Sequence, residues 1–351
     1  VAAIQVRLFI PSMGVFKGML VKKRIETGAP IELPCSMQKV LQSAHPQRFD
    51  GSCILICRNK VHPSPGSANE YIGRKLDETR KSPPEKPFTE KIKKPLSPMI
   101  LRLWETMGVP KDLCDRYKKE SLLPARRNHA WVVGVPDPTG SLPPDTVFVP
   151  GIRNQGPYDL FVTRCPCYAH EHGRKFRSLT EKPPVMSTED WEWLNNEFMF
   201  GVIIFSNPRP GMMSIPERIA NGDLDGDLYL VCWDKEVVDS MTALPLVDQP
   251  SEDDGKLSTA PSNPNWFHEA QDVMIDNLRF ELGHLIGALY KLAEKKADES
   301  EKKLDDPDAL ALFEAYNEAL EYQKHGRPIR LPTHLIDELK PQLRPLVQPL
   351  D

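Results

Sequence analysis

The sequence lacks any apolar run that approaches the roughly 18 residues of a membrane-spanning helix. It also lacks a basic leader followed by an apolar stretch and a small-residue cleavage site. We therefore expect neither a membrane partner nor secretion. The seven cysteines are irregularly spaced and do not form a disulfide framework, which favours a reducing compartment, cytoplasmic or nuclear. The net charge of −4 excludes an argument for nucleic-acid binding from total charge alone.

Two further absences concern the chain as a whole. No internal repeat of 20–50 residues is apparent, so a repeat array is not expected. The sequence does not start with Met and has strand-like text from its first residues, so we expect a part of a longer chain. Proline, by contrast, is abundant: its 35 residues are about twice the usual share of roughly 5%. This abundance predicts short elements joined by stiff loops.

The pattern along the chain predicts four segments. Residues 1–62 contain short β-rich runs, and residues 63–124 are Pro- and Lys-rich before a helix that Ser97 caps and Pro98 opens. Residues 125–240 contain further strands and one helix for which Ser187 or Thr188 is the N-terminal cap. Residues 241–351 have the three- and four-residue apolar spacing of helices. Local basic stretches occur at "KIKK" (91–94), "ARR" (125–127) and "RKFR" (174–177).

The most informative stretch is "NGDLDGDLYLVCWD" (221–234), which crowds Asp223, Asp225 and Asp227 together. Three carboxylates in one turn repel each other, and removing them from water costs several kcal/mol unless a cation compensates. Gly226 predicts a tight turn on which the carboxylates converge, and the apolar run after it predicts a buried strand that anchors the turn. Oxygen ligands of this kind suit Mg²⁺ or Mn²⁺ together with substrate phosphates.

Other interpretations of the acidic turn and of the possible metal ligands stay open. A solvated acidic turn is one, because Asp and Gly are common in turns. A calcium loop of the EF-hand type would need Gly and Glu where Leu228 and Asp234 stand. Zinc binding through Cys165, Cys167, His170 and His172 would require unusually tight spacing. Tyr229 and Trp233 are expected to lie in the core, with base stacking as the alternative.

This stretch resembles the catalytic signature of the cell-encoded RNA-dependent RNA polymerases of eukaryotic RNA silencing. The resemblance is carried by Gly222, the run Asp223–Asp227, Tyr229 and the pair Trp233–Asp234. Further similarities follow in the family's order: "GVFKGML" (14–20), "SMQKV" (36–40), "VVGVPDPTGSLPPDTVFV" (132–149), "VTRCPC" (162–167) and "DPDALALFEAYNEALEYQKHG". After "RCPC" the chain departs from the family pattern with "YAHEHGRKF".

The resemblance implies an α+β fold in which two double-psi β-barrels form a catalytic cleft, with connecting and C-terminal helices. Residues 1–62 would then be part of the first barrel and residues 125–240 the second. It also implies Mg²⁺-dependent (or Mn²⁺-dependent) nucleotidyl transfer from NTPs on an RNA template, making double-stranded RNA for silencing. The three aspartates would be the catalytic metal ligands. Lys17, Lys39, Arg164 and Lys324 would contact substrate phosphates or the nascent strand.

Alternatives to these functions and roles remain. The chain could be a DNA-templated polymerase of the same architecture, or a nucleic-acid-binding scaffold without catalysis. Lys17 and Lys39 could be solvated surface residues. Arg164 could pair with a carboxylate, and Lys324 could cap the C-terminal end of its helix.

Overall fold

A computed structural model describes residues 3–10, 14–21, 38–40, 53–56, 96–120, 128–150, 159–177, 179, 181–197, 202–242, 244, 268, 282–325 and 328–350. The strands in these ranges are β1 (Ala3–Ile10), β2 (Gly14–Val21), β3 (Gln38–Val40), β4 (Cys53–Ile56), β5 (His129–Pro136), β6 (Val147–Phe148), β7 (Asp159–Arg164), β8 (Gly173–Arg177), β9 (Val202–Phe205), β10 (Leu228–Cys232), β11 (Arg330–Leu331) and β12 (Gln348–Pro349). The predicted strands of the first and third segments are therefore present where the structure describes them.

Two of the helices begin at the capping residues that the sequence predicts. They are α1 (Pro98–Thr106), α2 (Lys111–Glu120), α3 (Thr188–Glu197), α4 (Ile215–Arg218), α5 (Lys235–Ser240), α6 (Leu282–Glu299), α7 (Pro307–His325) and α8 (Thr333–Ile336). The Ser97 hydroxyl accepts a hydrogen bond from the backbone N–H of Ile100 (3.4 Å), which confirms the predicted cap of α1. For α3 the cap is Ser187, whose hydroxyl accepts from the N–H of Asp190 (3.0 Å).

The smaller of the two main sheets is antiparallel, with strand order β3-β2-β1-β4. β1 and β2 pair along their whole length, with Arg7 opposite Lys17. Along β2, Phe16 is buried and Lys17 is half-buried, because successive side chains of a strand point to opposite faces. This sheet therefore holds Lys17 on a strand rather than on a loop.

The larger sheet has six strands in the order β6-β9-β5-β10-β7-β8. β5 and β9 run parallel, and the other pairs are antiparallel. The sheet is mixed, and β10 is apolar on both faces, as expected for a strand that is buried between β5 and β7. Val132, Val162 and Val231 from these strands pack with Ile215 and Ile219 in one core cluster. The acidic stretch thus leads directly into a buried strand.

The described chain divides into two compact units. The first comprises Val1–Pro95, Tyr117–Cys165 and Glu171–Ala260, and it contains both large sheets. The second comprises Leu96–Arg116, Pro166–His170 and Pro261–Asp351, in which Arg102 donates to Asp298 (2.6 Å) and Glu294 (2.5 Å) of α6. The predicted boundaries at 62, 124 and 240 stay a prediction. Among the described helices, none combines the length and apolarity that a bilayer crossing requires.

Candidate active site

The aspartates lie on a turn with an unusual backbone. Ala220, Asn221 and Leu224 have φ angles of 53°, 53° and 55°, and Gly226 has a φ of 121°. Three residues other than glycine in the left-handed region are costly, and such strain persists only where the surroundings fix it. The turn is fixed at both ends: the N–H of Gly222 donates to the carbonyl of Pro216 (2.8 Å), and the carbonyl of Asp227 accepts from Gly134 (3.1 Å).

The turn brings the three predicted carboxylates together. One oxygen each from Asp223, Asp225 and Asp227 lies within 4.8 Å of the others. The backbone N–H of Asp225 donates to Asp223 and that of Asp223 donates to Asp227, each at 3.3 Å. A set of converging carboxylate oxygens on a fixed turn matches the ligands that hard divalent cations prefer. The residues therefore fit a divalent metal ion.

Two cationic side chains partly balance this charge. The Lys17 ammonium forms an ion pair with Asp225. Arg164 approaches Asp227 with two nitrogens, Nε at 2.7 Å from Oδ2 and Nη2 at 3.0 Å from Oδ1, and its Nη1 donates to the carbonyl of Ala220 (2.6 Å). Of the two roles considered for Arg164, pairing with a carboxylate is the contact seen here, and binding to a phosphate backbone stays a prediction.

Asp223 is the carboxylate whose charge is least compensated. Partial burial of its carboxyl group, followed by the charges of Asp225 and Asp227, raises the pKa of Asp223 above the ordinary value of 3.8. Lys17 and a backbone hydrogen bond act in the opposite direction but do not cancel the increase. A bound cation would remove this repulsion, so the electrostatics of the turn favour cation binding.

Gln5 is a site residue that the sequence did not suggest. Its side-chain amide donates to the backbone carbonyl of Asp225, although the two residues are 220 positions apart. A Cβ atom on Gly226 would lie 2.2 Å from Nε2 of Gln5. Gly226 is thus favoured by its φ angle, and a side chain there would also have to displace the end of the Gln5 side chain. No motif marks Gln5, because it is an ordinary polar residue in a strand pattern.

Tyr229 and Trp233 are core residues, as expected. They are 0% and 5% exposed and belong to the core cluster of the larger sheet. The ring of Tyr229 packs edge-on against Phe205, with centroids 4.9 Å apart. Its hydroxyl reaches below the turn, where a Cβ on Gly222 would lie only 2.1 Å from it. The small residue at 222 therefore lets the turn close over Tyr229.

Asp234, the last residue of the signature, stabilises the fold through hydrogen bonds. Its carboxylate caps α5 by accepting from the N–H groups of Glu236 (3.0 Å) and Val237 (3.4 Å). It also accepts from Tyr117 (2.6 Å) and Asn128 (3.0 Å). Asp234 therefore fixes the chain immediately after β10 and lies outside the carboxylate group of the turn.

The structure leaves two predicted lysines undecided. Lys39 lies in β3 and Lys324 in the last turn of α7, but both side chains fall outside the described residues.

Among the described residues, the aspartate turn alone gathers three or more metal-ligating side chains, so Cys165, Cys167, His170 and His172 do not form such a group. His172 is buried, and burial together with Arg174 and Arg164 lowers its pKa to about 4.

A carboxylate group that fits a divalent cation, flanked by basic side chains, is a site suited to phosphate chemistry. The model of the RNA dependent RNA polymerase family matches residues 109–346, which contain the aspartate turn and are more than half of the chain. The chain belongs to this family.

Curated relatives share part of the sequence. "RNA-dependent RNA polymerase 1" of Arabidopsis thaliana is 29% identical over 139 residues, which are 39% of this chain and 12% of that protein. "Probable RNA-dependent RNA polymerase 5" of the same plant is 26% identical over 245 residues, 65% of this chain and 23% of that protein. "Probable RNA-dependent RNA polymerase 2" of Oryza sativa subsp. japonica is 27% identical over 128 residues, 36% of this chain and 11% of that protein. The matched part of the chain thus spans less than a quarter of the length of each of these relatives.

A solved structure supports the fold. The "RNA dependent RNA polymerase QDE-1 from Thielavia terrestris" superposes with a TM-score of 0.50 and 18% sequence identity, covering 98% of this chain and 44% of that one. At this identity the likeness concerns the fold alone. It agrees with the predicted combination of sheets and helices.

Proposed function

We propose that this chain is the catalytic core of an RNA-directed RNA polymerase that copies an RNA template into double-stranded RNA for RNA silencing. The observation that carries the proposal is the convergence of Asp223, Asp225 and Asp227 within 4.8 Å on a turn whose backbone is fixed at both ends. Family membership supports the same reaction. The two sheets of the first unit would belong to two double-psi β-barrels, one contributing Lys17 and the other the aspartates.

The three aspartates are proposed to ligate the catalytic metal ion. Mg²⁺, or Mn²⁺, held there would activate the 3′-hydroxyl and stabilise the charge on the α-phosphate in an in-line displacement. The carboxylates supply oxygen ligands, and the fixed turn supplies their geometry before substrate arrives. The orientation of the turn would depend on Gln5, whose amide donates to the carbonyl of Asp225, and on Gly226, whose φ angle favours glycine.

Lys17 and Arg164 are proposed to bind substrate phosphates close to the aspartates. Both already lie against the carboxylates, so a phosphate that approaches the metal site also approaches their positive charges. Lys17 is a point charge on a half-buried strand, suited to a triphosphate oxygen. Lys39 and Lys324 are proposed to make further phosphate contacts, on the strength of the resemblance alone.

Primer extension and unprimed synthesis on single-stranded RNA, with labelled NTPs and Mg²⁺, test the proposal. Asp225→Asn should lower the rate by about a thousandfold, because several kcal/mol of metal-dependent stabilisation are lost. Asp239→Asn removes the same charge at an exposed position of α5, where Asp239 pairs with Lys235, and should leave the rate unchanged.

The outcomes separate the alternatives. A wild-type rate in Asp225→Asn, with the purified variant folded, would refute the metal-ligand assignment. Synthesis on single-stranded DNA but not on RNA would favour the DNA-templated alternative. Absence of synthesis on either template, with RNA still bound, would favour the scaffold. A nuclease specific for double-stranded RNA identifies the product.

A further inference from the structure

The acidic turn holds its two cationic side chains in different ways. Arg164 contacts both carboxylate oxygens of Asp227 (2.7 and 3.0 Å) and also donates to the carbonyl of Ala220 (2.6 Å). Lys17 pairs with Asp225, and within the described ranges no second acid forms an ion pair with it. A guanidinium held at three oxygen atoms is fixed in place, whereas an ammonium on a flexible four-carbon stem can exchange one partner for another. Lys17 is therefore the counter-ion that can be exchanged.

The smaller sheet brings two neighbouring side chains to Asp225. Gln5 on β1 is opposite Met19 on β2, and Lys17 is two residues from Met19, so Gln5 and Lys17 lie on the same face of the sheet. Gln5 donates to the backbone carbonyl of Asp225, and Lys17 pairs with its carboxylate. The backbone and the charge of Asp225 are thus held by separate contacts. The backbone contact can persist when the ion pair breaks.

Lys17 and a divalent cation would compete for the same carboxylate. The ligand oxygens of the three aspartates lie within 4.8 Å of one another, so an ion among them would lie close to the Lys17 ammonium. The side chains of Lys17 and Asp225 are 34% and 14% exposed, so solvent screens their charges less than at an open surface. Three carboxylates paired with two cations retain one negative charge, and without Lys17 they would retain two. A divalent cation should therefore bind more tightly without Lys17.

We propose that Lys17 is an exchangeable counter-ion, which neutralises Asp225 before a divalent cation binds and moves to substrate phosphates when one does. The inference rests on the proposed function, in which the aspartates ligate the metal ion and Lys17 contacts a triphosphate. Lys17 then opposes metal binding in the absence of nucleotide. A nucleotide that draws Lys17 away from Asp225 in turn favours metal binding, because coupling between two ligands is reciprocal.

The first experiment measures Mn²⁺ binding to the whole chain without nucleotide or RNA, from the electron paramagnetic resonance signal of the free ion. Lys17→Met should bind Mn²⁺ about tenfold more tightly than the wild type, because one opposing positive charge is removed. Lys17→Arg keeps the charge and should retain the wild-type affinity. Lys235→Met is the matched control, since it removes the same charge at an exposed position of α5 and should leave the affinity unchanged.

The outcomes distinguish the role of Lys17 from the proposed function. A lysine that only contacted phosphate would leave Mn²⁺ affinity unchanged in Lys17→Met, and a lysine that supported the turn would lower it. Either result overturns the proposal. If the wild type binds Mn²⁺ and Asp225→Asn loses this binding, the proposed metal ligation stands even when Lys17→Met has no effect. If neither the wild type nor Lys17→Met binds Mn²⁺, both the ligation and the counter-ion role are wrong.

A second measurement uses the wild type and so does not depend on the folding of Lys17→Met. The chain is treated with an amine-acetylating reagent in EDTA or in Mg²⁺, and acetylation of each lysine is followed by mass spectrometry of its peptides. Lys17 should react several times faster in Mg²⁺, because its ammonium is released from Asp225, whereas Lys235 should react equally in both. In Asp225→Asn, Lys17 should react fast in either condition. A wild-type rate at Lys17 that Mg²⁺ does not raise contradicts the release.

Gln5 provides a contrast of opposite sign on the same face of the sheet. Gln5→Leu removes the hydrogen bond to the carbonyl of Asp225 without changing the charge near the aspartates. Mn²⁺ should therefore bind more weakly to Gln5→Leu than to the wild type, because the turn is less well fixed. Tighter binding in both Gln5→Leu and Lys17→Met would show that any substitution on this face has the same effect, and the argument from charge would be refuted.

Discussion

Replacing Asp223 by asparagine should stabilise the protein when divalent cations are removed. Most substitutions at a structured position destabilise a protein, so the expected sign is unusual. The reason is that the ionised Asp223 carboxylate faces two others across the turn, and the raised pKa of Asp223 reflects its partial burial and their charges. Asparagine keeps the shape and the oxygen that accepts from the N–H of Asp225 but removes the charge.

The distance limits the size of the effect. Unit charges 4.8 Å apart repel by about 0.9 kcal/mol in water and about 3.5 kcal/mol at an effective dielectric constant of 20. Lys17 on Asp225 and Arg164 on Asp227 offset most of this repulsion. Although its carboxyl group is partly buried, the Asp223 residue as a whole is exposed, so solvent screens the repulsion, the lower end applies, and we expect a net gain of about 1 kcal/mol.

Chemical denaturation in EDTA and in Mg²⁺ measures the effect. In EDTA, Asp223→Asn should unfold at higher denaturant than the wild type; in Mg²⁺ the order should reverse, because the variant has lost a ligand. Asp239→Asn, at an exposed ion pair, should change stability by less than about 0.5 kcal/mol in either condition. If Asp223→Asn is less stable than the wild type in EDTA, the repulsion argument is wrong.

The same comparison has a defined pH dependence. An acid whose pKa is higher in the folded chain than in the unfolded chain binds protons preferentially in the folded state. The wild type therefore loses stability as the pH rises from 3.8 through the raised pKa of Asp223. The advantage of Asp223→Asn should be full at neutral pH and should disappear below about 3.8.

Two other substitutions separate the turn from its surroundings. Gly226→Ala should cost about 1–3 kcal/mol and abolish synthesis, because a side chain there is strained and collides with Gln5, whereas Gly287→Ala, in α6 with open space around it, should stabilise by about 0.5–1 kcal/mol. Denaturation and primer extension measure both; a functional Gly226→Ala would contradict the role of the turn. Asp234→Asn should cost about 1–3 kcal/mol at neutral pH. Burial alone would raise the pKa of Asp234, but hydrogen bonds from Tyr117 and Asn128 outweigh it and lower the pKa. The stability that Asp234 contributes is present above 3.8 and is lost as the pH falls through the lowered pKa, so the loss in Asp234→Asn should fade in acid.

Elements with strong local signals could be predicted from the sequence. "LYLVCW" is an uninterrupted apolar run and forms the buried strand β10, and Ser97 and Pro98 give α1 its start. The convergence of the aspartates could also be expected, because Gly226 permits a tight turn and the apolar run after it predicts a strand that anchors the turn. In each case the signal that predicts the element lies within a few residues, although distant partners such as Gln5 and Gly134 complete the turn.

Elements whose burial depends on distant partners could not be predicted. β8 was missed because "GRKFR" is a basic stretch whose register with β7 nevertheless places Arg174 and Phe176 on an inner face. α4 had a usable signal in Ser214 and Glu217, which form a capping box, but it is only four residues long. No sequence signal marks Gln5, since its hydrogen bond to Asp225 forms only when β1 lies against the turn.

The charges around the turn explain how an acidic cluster can belong to a folded protein. Without Lys17 and Arg164, the turn would hold three carboxylates at close range, two of them largely buried, which is unfavourable without counter-ions. With them, two of the three charges are paired and Asp223 alone carries the excess. The turn can therefore form before a cation binds, and the remaining negative charge still attracts one. Because Lys17 lies on β2 and Arg164 on β7, the proposed metal site contacts both main sheets of the first unit.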